Sequence, residues 1–330
     1  MVKTKHTIII LIAAIAVLPL IFRSSSFHNM LVLLLIFAVL GEAWNIITGF
    51  AGQTSFGHAA FFGIGAYASS VLFYRFHISP WIGMIVGAVA ASIVALIISY
   101  PCFKLKDKYF AIGTLAIGEI VKQLFISWDF VEGATGISLP VIDDSWLYMQ
   151  FNSSKIPYIY IALGLFAAVI FICHIIETSK MGFYLKAIRE SHEVAESIGV
   201  NTRNYKTYAM IISAALSACA GTVYAQYLLY VDPFMLFSLD ISIKIVLLTV
   251  LGGVGNIYGA IIGAAILIPL SETTRIVLGG SGTGVDLMIF GVLIILVACF
   301  QPRGIIGLVE SIREKNKKKK VGVSNVEANS

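Results

Sequence analysis

Charged residues are scarce in this sequence, and their scarcity indicates its broad class. Asp, Glu, Lys and Arg make up 12% of the 330 residues, whereas 58% of the residues are hydrophobic. Soluble domains carry roughly 25% charged residues. The composition therefore predicts a polytopic membrane protein. In such a protein the net charge of +5 informs on loop orientation, and we expect no nucleic-acid partner.

Cysteine and the motifs of enzyme sites are also scarce. The four cysteines lie far apart without CxxC or Cys/His ligand spacing, at Cys102, Cys173, Cys219 and Cys299. We expect reduced packing residues, no metal and no cofactor. The chain lacks a G-x-x-x-x-G-K-[ST] phosphate loop, and His192-Glu193 lacks the second His of a zinc-protease motif. We therefore expect no catalytic residues and no enzyme activity.

Long apolar runs, by contrast, are abundant. They lie near 8–22, 30–48, 58–74, 81–100, 109–127, 157–176, 207–229, 241–252, 256–271 and 285–300. Only helices and closed barrels satisfy the backbone in lipid, and barrel strands would alternate in polarity. The runs predict an all-α bundle of about ten membrane segments. The first run could be a signal peptide, but no A-x-A-like site follows it, which favours a retained helix.

Basic residues indicate the orientation of the chain. They cluster near Lys3, in the loop 104–108, in the stretch 180–206 and after Arg303. An even number of segments places these groups on one face, which the positive-inside rule makes cytoplasmic together with both termini. The acidic loop 128–157 then lies outside. We expect one transmembrane domain over residues 1–310 and a basic cytoplasmic tail over 311–330, near anionic lipid.

Two glycine-rich interruptions occur at corresponding places in the chain. The first contains Gly52, Gln53, Ser55, Gly57 and His58; the second contains Gly252, Gly253 and Gly255. Their placement indicates an internal repeat with halves of about 1–150 and 151–310. Broken helices are a pointer to a transporter's substrate path, so we predict that these residues line it. The alternative is that the glycines serve helix packing alone, as we expect for Gly63 and Gly65.

Backbone N–H groups and ionisable side chains add candidates for the path. The start of the helix near Ser55 could receive a substrate carboxylate, because helix N-termini attract anions. Glu42 either shapes the path and attracts an ammonium group or bonds a neighbouring helix. His58 fits a hydrogen-bonded packing role better than that of a ligand. For the pairs Glu119–Lys122 and Asp240–Lys244, structural pairing or snorkelling is favoured over transport.

The stretch from Thr178 to Tyr205 is the longest between spans on the predicted cytoplasmic side. Its apolar residues recur at helical spacing, at Leu185, Ile188, Ala195 and Ile198, and Gly199 suits a helix C-cap. The pattern predicts an amphipathic helix, which could lie on lipid or dock into a groove of a cytosolic partner. Its glutamates would meet anionic headgroups, which favours the partner.

These motifs carry a family resemblance along nearly the whole chain. They are Gly52-Gln53-x-Ser55-x-Gly57-His58-Ala59-Ala60-Phe61-Phe62-Gly63-Ile64-Gly65-Ala66-Tyr67, Tyr109-Phe110-Ala111-Ile112 with Gly118-Glu119-Ile120, Gly133-x-Thr135-Gly136-Ile137, Gly182 with Ala187-Ile188-Arg189-Glu190, and Leu251-Gly252-Gly253-x-Gly255. In them the sequence strongly resembles the inner-membrane permease subunits of ABC importers for branched-chain amino acids. Phe183-Tyr184 and Ser191-His192 depart from that pattern.

The resemblance implies a permease that moves leucine, isoleucine and valine into a bacterial cell. The implied partners are ABC ATPase subunits that bind the ATP, a second related permease subunit and an extracytoplasmic substrate-binding protein. The segment implied to couple to the ATPase holds Gly182, Ala187, Arg189, Glu190 and Gly199. Two alternatives stay open: a urea or short-chain amide permease, which looks very similar, and an ion-coupled secondary amino-acid transporter.

Overall fold

A computed structural model describes residues 2–105, 107–277, 288, 291, 292, 295 and 304–307, and nearly all of its regular structure is helical. The α-helices run in the order α1 (Val2–Ile21), α2 (Ser25–Asn45), α3 (His58–Phe76), α4 (Pro80–Cys102), α5 (Asp107–Ile126), α6 (Ile156–Thr178), α7 (Lys180–Glu190), α8 (His192–Ser197), α9 (Thr202–Leu228), α10 (Pro233–Leu236), α11 (Leu239–Gly252) and α12 (Gly259–Val277). Two short strands, β1 (Ile137–Ser138) and β2 (Tyr230–Val231), pair antiparallel.

The all-α membrane bundle predicted from the apolar runs is confirmed. Among the described residues, six stretches are long and apolar enough to cross a membrane: Ser25–Phe50, Pro80–Cys102, Lys108–Ile126, Ile156–Thr178, Thr202–Leu228 and Pro233–Gly252. Apolar helices at 12–21 and 259–274 are shorter. The predicted segment near 285–300 lies largely outside the described residues, and the tail 311–330 lies wholly outside them. The count of ten segments and the internal repeat stay predictions.

Helix α2 forms the centre of the bundle. From Leu31 to Asn45 nearly every residue is buried, as expected of a helix that is apolar on all sides. It packs against α6, α9, α11 and α12. A second close group joins α3, α4 and α9. There a Cβ on Gly65 would overlap the carbonyl of Ala218, and one on Gly221 would overlap that of Phe62, which confirms the small-residue packing face.

The connections divide between two sides of the bundle. On one side, the α4–α5 connection around Lys104 shares a cleft with α7 and α8. We call this the α7–α8 side. On the other side, the loop 127–155 covers the ends of α3 and α4. There Arg75 and Glu132 form a 2.9 Å ion pair, and Ser79 Oγ donates to the carbonyl of Leu147. The basic stretch 180–206 and the acidic loop thus lie on opposite sides, as the sequence predicts.

The prediction of a single amphipathic helix over 185–198 is wrong in one respect, because the structure has two helices there, α7 and α8. Ser191 has extended dihedrals, φ −159° and ψ 119°, and its Oγ accepts from the Val194 N–H. A serine N-cap therefore starts a new helix. Leu185, Ile188 and Ala195 are buried as expected, but Ile198 is 68% exposed. Gly199 adopts φ +84° directly after α8, in agreement with the expected helix end.

Candidate functional site

The first glycine-rich break opens where α2 loses its regular helix. Residues Ile46–Phe50 form one π-helical turn, and residues 51–57 are not helical. Side chains satisfy the backbone groups that this break releases. Trp44 Nε1 donates to the Ser55 carbonyl at 2.7 Å, and Thr48 Oγ1 donates to that of Gln53 at 2.9 Å. The break is therefore a fixed structure within protein, which is the condition for irregular backbone at membrane depth.

Helix α3 begins inside this network. His58 Nε2 and Ser213 Oγ of α9 lie 2.7 Å apart, and His58 Nδ1 and Ser55 Oγ lie 3.2 Å apart. Ser213 Oγ in turn donates to the Ala43 carbonyl at 2.5 Å. His58 is 1% exposed and Ser55 fully buried, so the imidazole joins α2, α3 and α9. This agrees with the packing role favoured from the sequence.

Three N–H groups at the start of α3 already have hydroxyl partners. Phe56 N donates to Thr114 Oγ1 of α5, Gly57 N to Ser55 Oγ, and Ala59 N to Ser242 Oγ of α11. These are the groups that we expected to receive a substrate carboxylate. In this conformation an anion that bound these three groups would have to displace a hydroxyl, which favours a structural role for the helix start.

The second break, between α11 and α12, is held against α2. Asn45 Oδ1 accepts from the Gly255 N–H at 2.8 Å, and Asn45 Nδ2 donates to the Asn256 carbonyl at 3.0 Å. A Cβ on Gly252 would overlap the Gly259 carbonyl, so the two helix ends pack in backbone contact. Gly253 and Gly255 adopt φ values of +131° and +85°, which favour glycine. The two breaks predicted separately are therefore in direct contact.

Glu42 takes the second of the two roles left open for it. Its Oε2 accepts from Asn45 Nδ2 and its Oε1 from the Ala260 N–H, both at 3.2 Å. The residue is fully buried. Its carboxyl group lies at the first turn of α12, where it accepts a hydrogen bond from one of the N–H groups that lack a partner within the helix. Glu42 thus holds α12 onto α2, and a role in transport stays a prediction.

A side chain from α7 reaches both breaks. Arg189 Nη1 donates to the Gly49 carbonyl at 2.5 Å, and a Cβ on Gly255 would overlap the same Nη1. A Cβ on Gly52 would lie 3.1 Å from Arg189 Cγ, and Gly52 adopts φ +72°. The missing side chains make room for the guanidinium. Arg189, predicted as part of the coupling segment, is thus inserted between the breaks.

A cleft of about 560 Å³ opens beside Arg189 on the α7–α8 side. Its walls include Gly52, Gln53, Lys104, Glu190 and Glu193. Charges of both signs line it, and Gly52 and Gln53 are predicted path residues that line it too. Gly182, Ala187 and Gly199 do not line this cleft. Gly182 lies at the start of α7, where a Cβ would overlap the Ile176 carbonyl, so its role is close packing of α7 on α6.

Comparison with known proteins supplies the family. A family model described as "Branched-chain amino acid transport system / permease component" matches residues 26–298. The chain belongs to this permease family. Members of this family are permease subunits of transporters and are not themselves enzymes. The structure and the family together make this chain a multi-pass membrane protein that works in an ABC transporter with other subunits.

Curated relatives of the permease match over most of the chain. The high-affinity branched-chain amino acid transport system permease protein LivM of Escherichia coli is 25% identical over 297 residues, covering 83% of this chain and 68% of its own. LivH of Salmonella typhimurium is 26% identical, covering 83% and 92%. A probable LivM of Methanocaldococcus jannaschii is 25% identical, covering 88% and 95%. No solved structure matches.

Sequence reasoning missed several residues whose hydrogen bonds hold the two breaks and the start of α3 in place. We call this hydrogen-bonded region of the permease the joint. The missed residues are Trp44, Asn45, Thr48, Thr114, Ser213 and Ser242. Each is a polar-capable side chain inside or beside an apolar run, and such residues bond across helices in membranes. That signal could have marked them as candidates for hydrogen bonds between helices. It could not have identified their partners, which lie up to 211 positions away.

Proposed function

We propose that this chain is the membrane-spanning subunit of an ABC importer that moves leucine, isoleucine and valine into a bacterial cell. The observation that carries the proposal is the insertion of Arg189, on a helix outside the spans, between the two glycine-rich breaks. The family match and the relatives named for branched-chain amino acids support the class of solute.

The α7–α8 side faces the cytosol in this proposal, since it carries the basic stretch 180–206. An ABC ATPase partner binds α7 and α8 there and supplies the ATP site that this chain is expected to lack. The coupling residues are Gly182, Ala187, Arg189, Glu190 and Gly199. A displacement of α7 shifts Arg189, and Arg189 contacts Gly49, Gly52 and Gly255 directly.

The breaks carry that displacement into the bundle. From Gly52 the chain runs to Gly57, where a Cβ would lie 2.7 Å from the Thr114 carbonyl of α5. From Gly255 it runs through Asn45 and Glu42 to α12. Two contiguous sets of contacts thus start at Arg189. One leads through the first break to α3 and α5, and the other leads through the second break to α2 and α12. Gly-rich, non-helical segments are suited to such a change because they can alter dihedrals without breaking a regular helix.

The cleft beside Gly52 and Gln53 is the cytosolic end of the solute path in this proposal. A substrate-binding protein delivers the amino acid to the opposite side, at the loop 127–155, and a second permease subunit completes the complex. Glu42, Ser55, Gly57, His58 and the glycines of the second break form the moving joint next to the path.

Uptake by the reconstituted complex tests the proposal. The permease, its ATPase subunits, its second permease subunit and its binding protein are placed in liposomes, and uptake of labelled leucine is measured with isoleucine, valine or urea as competitors. We expect uptake that requires ATP inside and that isoleucine and valine, but not urea, suppress. Competition by urea alone would assign the amide class, and uptake driven by an ion gradient without ATP would overturn the importer.

A further inference from the structure

The outward face of α5 differs from that of the neighbouring span, α4. The 18-residue apolar window of α5 is only 17% buried, the lowest share among the six candidate spans. Four exposed residues fall at i, i+3, i+4 and i+7 on one stripe: Ala116, Glu119, Ile120 and Gln123. A carboxylate and a carboxamide therefore point outward in a helix long enough to span the membrane.

Helix α4 provides the internal comparison. Its exposed positions between Ile82 and Ile97 are all isoleucine, valine or leucine, at 82, 85, 86, 89, 93, 96 and 97. Such a face suits lipid tails. The two helices lie next to each other in sequence and face outward, so the polar stripe of α5 reflects a different environment and not a general property of this bundle's surface.

Glu119 lies too far from the end of α5 for its side chain to reach the membrane surface. It lies seven residues before the end of α5 at Ile126, or about 10 Å below that end at 1.5 Å per residue. Its side chain is 60% exposed, and its carboxylate accepts from Lys122 Nζ at 3.0 and 3.3 Å. Lysine can snorkel over such a depth, but the shorter glutamate cannot. Ionisable residues inside membranes almost always face protein or water.

We infer that this stripe of α5 borders water and forms one wall of the solute passage, with Glu119 and Lys122 as the groups that meet the charges of the solute. Because the stripe lies at the periphery of this chain, the opposite wall belongs to the second permease subunit. The inference rests on the proposed function for the identity of the solute, but the exposure of the stripe to water can be measured without it.

The chemistry of the stripe fits a zwitterion with an apolar side chain. The carboxylate of Glu119 can bind an ammonium group, and the ammonium of Lys122 can bind a carboxylate. Ile112 and Ile120 are exposed beside the pair and offer apolar contact. The pair already satisfies itself, so a bound solute exchanges one ion pair for two. Such an exchange gives weak binding, which a passage requires because the solute must leave it.

The buried side of the same helix contacts the first break. Thr114 Oγ1 accepts from Phe56 N at 3.1 Å, and the Thr114 carbonyl packs on Gly57. A movement of residues 52–57 therefore reaches α5 directly. In this arrangement the break moves the wall of the passage from behind, and the solute passes along the outward face of α5 before it reaches the cleft beside Gly52 and Gln53 at the α4–α5 connection.

Thiol labelling tests whether the stripe borders water. The four cysteines are replaced, and single cysteines are introduced by A116C and Q123C on α5 and by V89C and I93C on α4. The assembled complex in membranes is treated from both sides with a charged methanethiosulfonate. We expect the α5 positions to react at least tenfold faster than the α4 controls, and leucine with its binding protein to slow A116C severalfold. Equal labelling rates at the α5 and α4 positions would overturn the inference that the α5 stripe borders a water-filled passage.

The role of the ion pair is tested in the same assay. In an E119Q background, A116C should keep its rate of labelling, but leucine should no longer slow it, and uptake should fall at least tenfold. Full protection by leucine in E119Q would overturn the role of the pair. Failure of the proposed function is distinguishable, because wild-type complex would then not take up leucine at all, whereas labelling without solute still reports exposure to water.

Discussion

Arg189 donates a 2.5 Å hydrogen bond to the carbonyl of Gly49, in the π-helical turn that ends α2. The last carbonyls of a helix lack partners within the helix and carry the negative end of its dipole, so a guanidinium satisfies both. The contact joins a helix outside the spans to the most buried helix of the bundle. It therefore connects α7, which we propose binds the ATPase partner, with the core of the bundle.

Arg189→Ala should uncouple the transporter. A hydrogen bond from a charged donor contributes about 1.5–3 kcal/mol, which corresponds to roughly a tenfold to hundredfold effect. We expect leucine uptake by the reconstituted complex to fall by that factor, with unchanged protein level. Arg203→Ala is the matched control, because it removes an exposed arginine whose guanidinium lies over the exposed ring of Tyr100 and does not contact the breaks. Equal loss in both variants would contradict the prediction.

Gly255→Ala should act through Arg189. A Cβ at this position overlaps Arg189 Nη1, and φ of +85° costs a non-glycine residue about 1–2 kcal/mol. The flexible guanidinium moves away more readily than backbone does, so the main consequence is loss of its bond to Gly49. Uptake by Gly255→Ala, Arg189→Ala and the double variant should be non-additive, since the first change already displaces the arginine.

The control for that cycle is Gly164→Ala. A Cβ on Gly164, in α6, would meet nothing within 4 Å. Its uptake should stay within twofold of wild type, and its effect should add to that of Arg189→Ala. Full additivity of Gly255→Ala with Arg189→Ala would show that the two residues act separately.

The parts of this site that were predictable are those with local signals. Glycines inside an apolar run predicted both breaks, and the helical spacing of apolar residues predicted the helical structure around Arg189. The division at Ser191 also had a local signal, a serine three residues before the N–H that it caps, but helical spacing across it concealed the signal.

The contact between the two breaks had no local signal. Asn45 bonds Gly255 and Asn256, 210 and 211 positions away, and His58 bonds Ser213, 155 positions away. A sequence shows which residues can make hydrogen bonds in lipid, but the packing of α2 against α12 and of α3 against α9 selects the partners. For the same reason the sequence left two roles open for Glu42.

Glu42→Ala should loosen α12. The change leaves the buried Ala260 N–H and one Asn45 N–H without an acceptor, and each such group costs about 1–3 kcal/mol. We expect a lower midpoint of thermal unfolding in detergent and less folded protein. Glu42→Gln is the matched variant, because its amide oxygen can still accept from Ala260 N. It should unfold between wild type and Glu42→Ala. Equal midpoints for wild type and Glu42→Ala would contradict a structural role.

Ser55→Ala should weaken the start of α3 without unfolding the protein. Ser55 Oγ accepts from the Gly57 N–H at 3.3 Å and lies 3.2 Å from His58 Nδ1, so the variant loses two contacts inside the joint. At a net contribution of about 0.5–1.5 kcal/mol for each of the two hydrogen bonds, we expect leucine uptake to fall roughly fivefold to a hundredfold at unchanged protein level. Thr54→Ala serves as the control, because Thr54 is exposed next to it. Because the Ser55 carbonyl still accepts from Trp44 in both variants, the backbone of the break stays in place. Unchanged uptake by Ser55→Ala would therefore show that the hydrogen bonds of the Ser55 hydroxyl are not needed for transport. It would leave open a role for the backbone fold of the break.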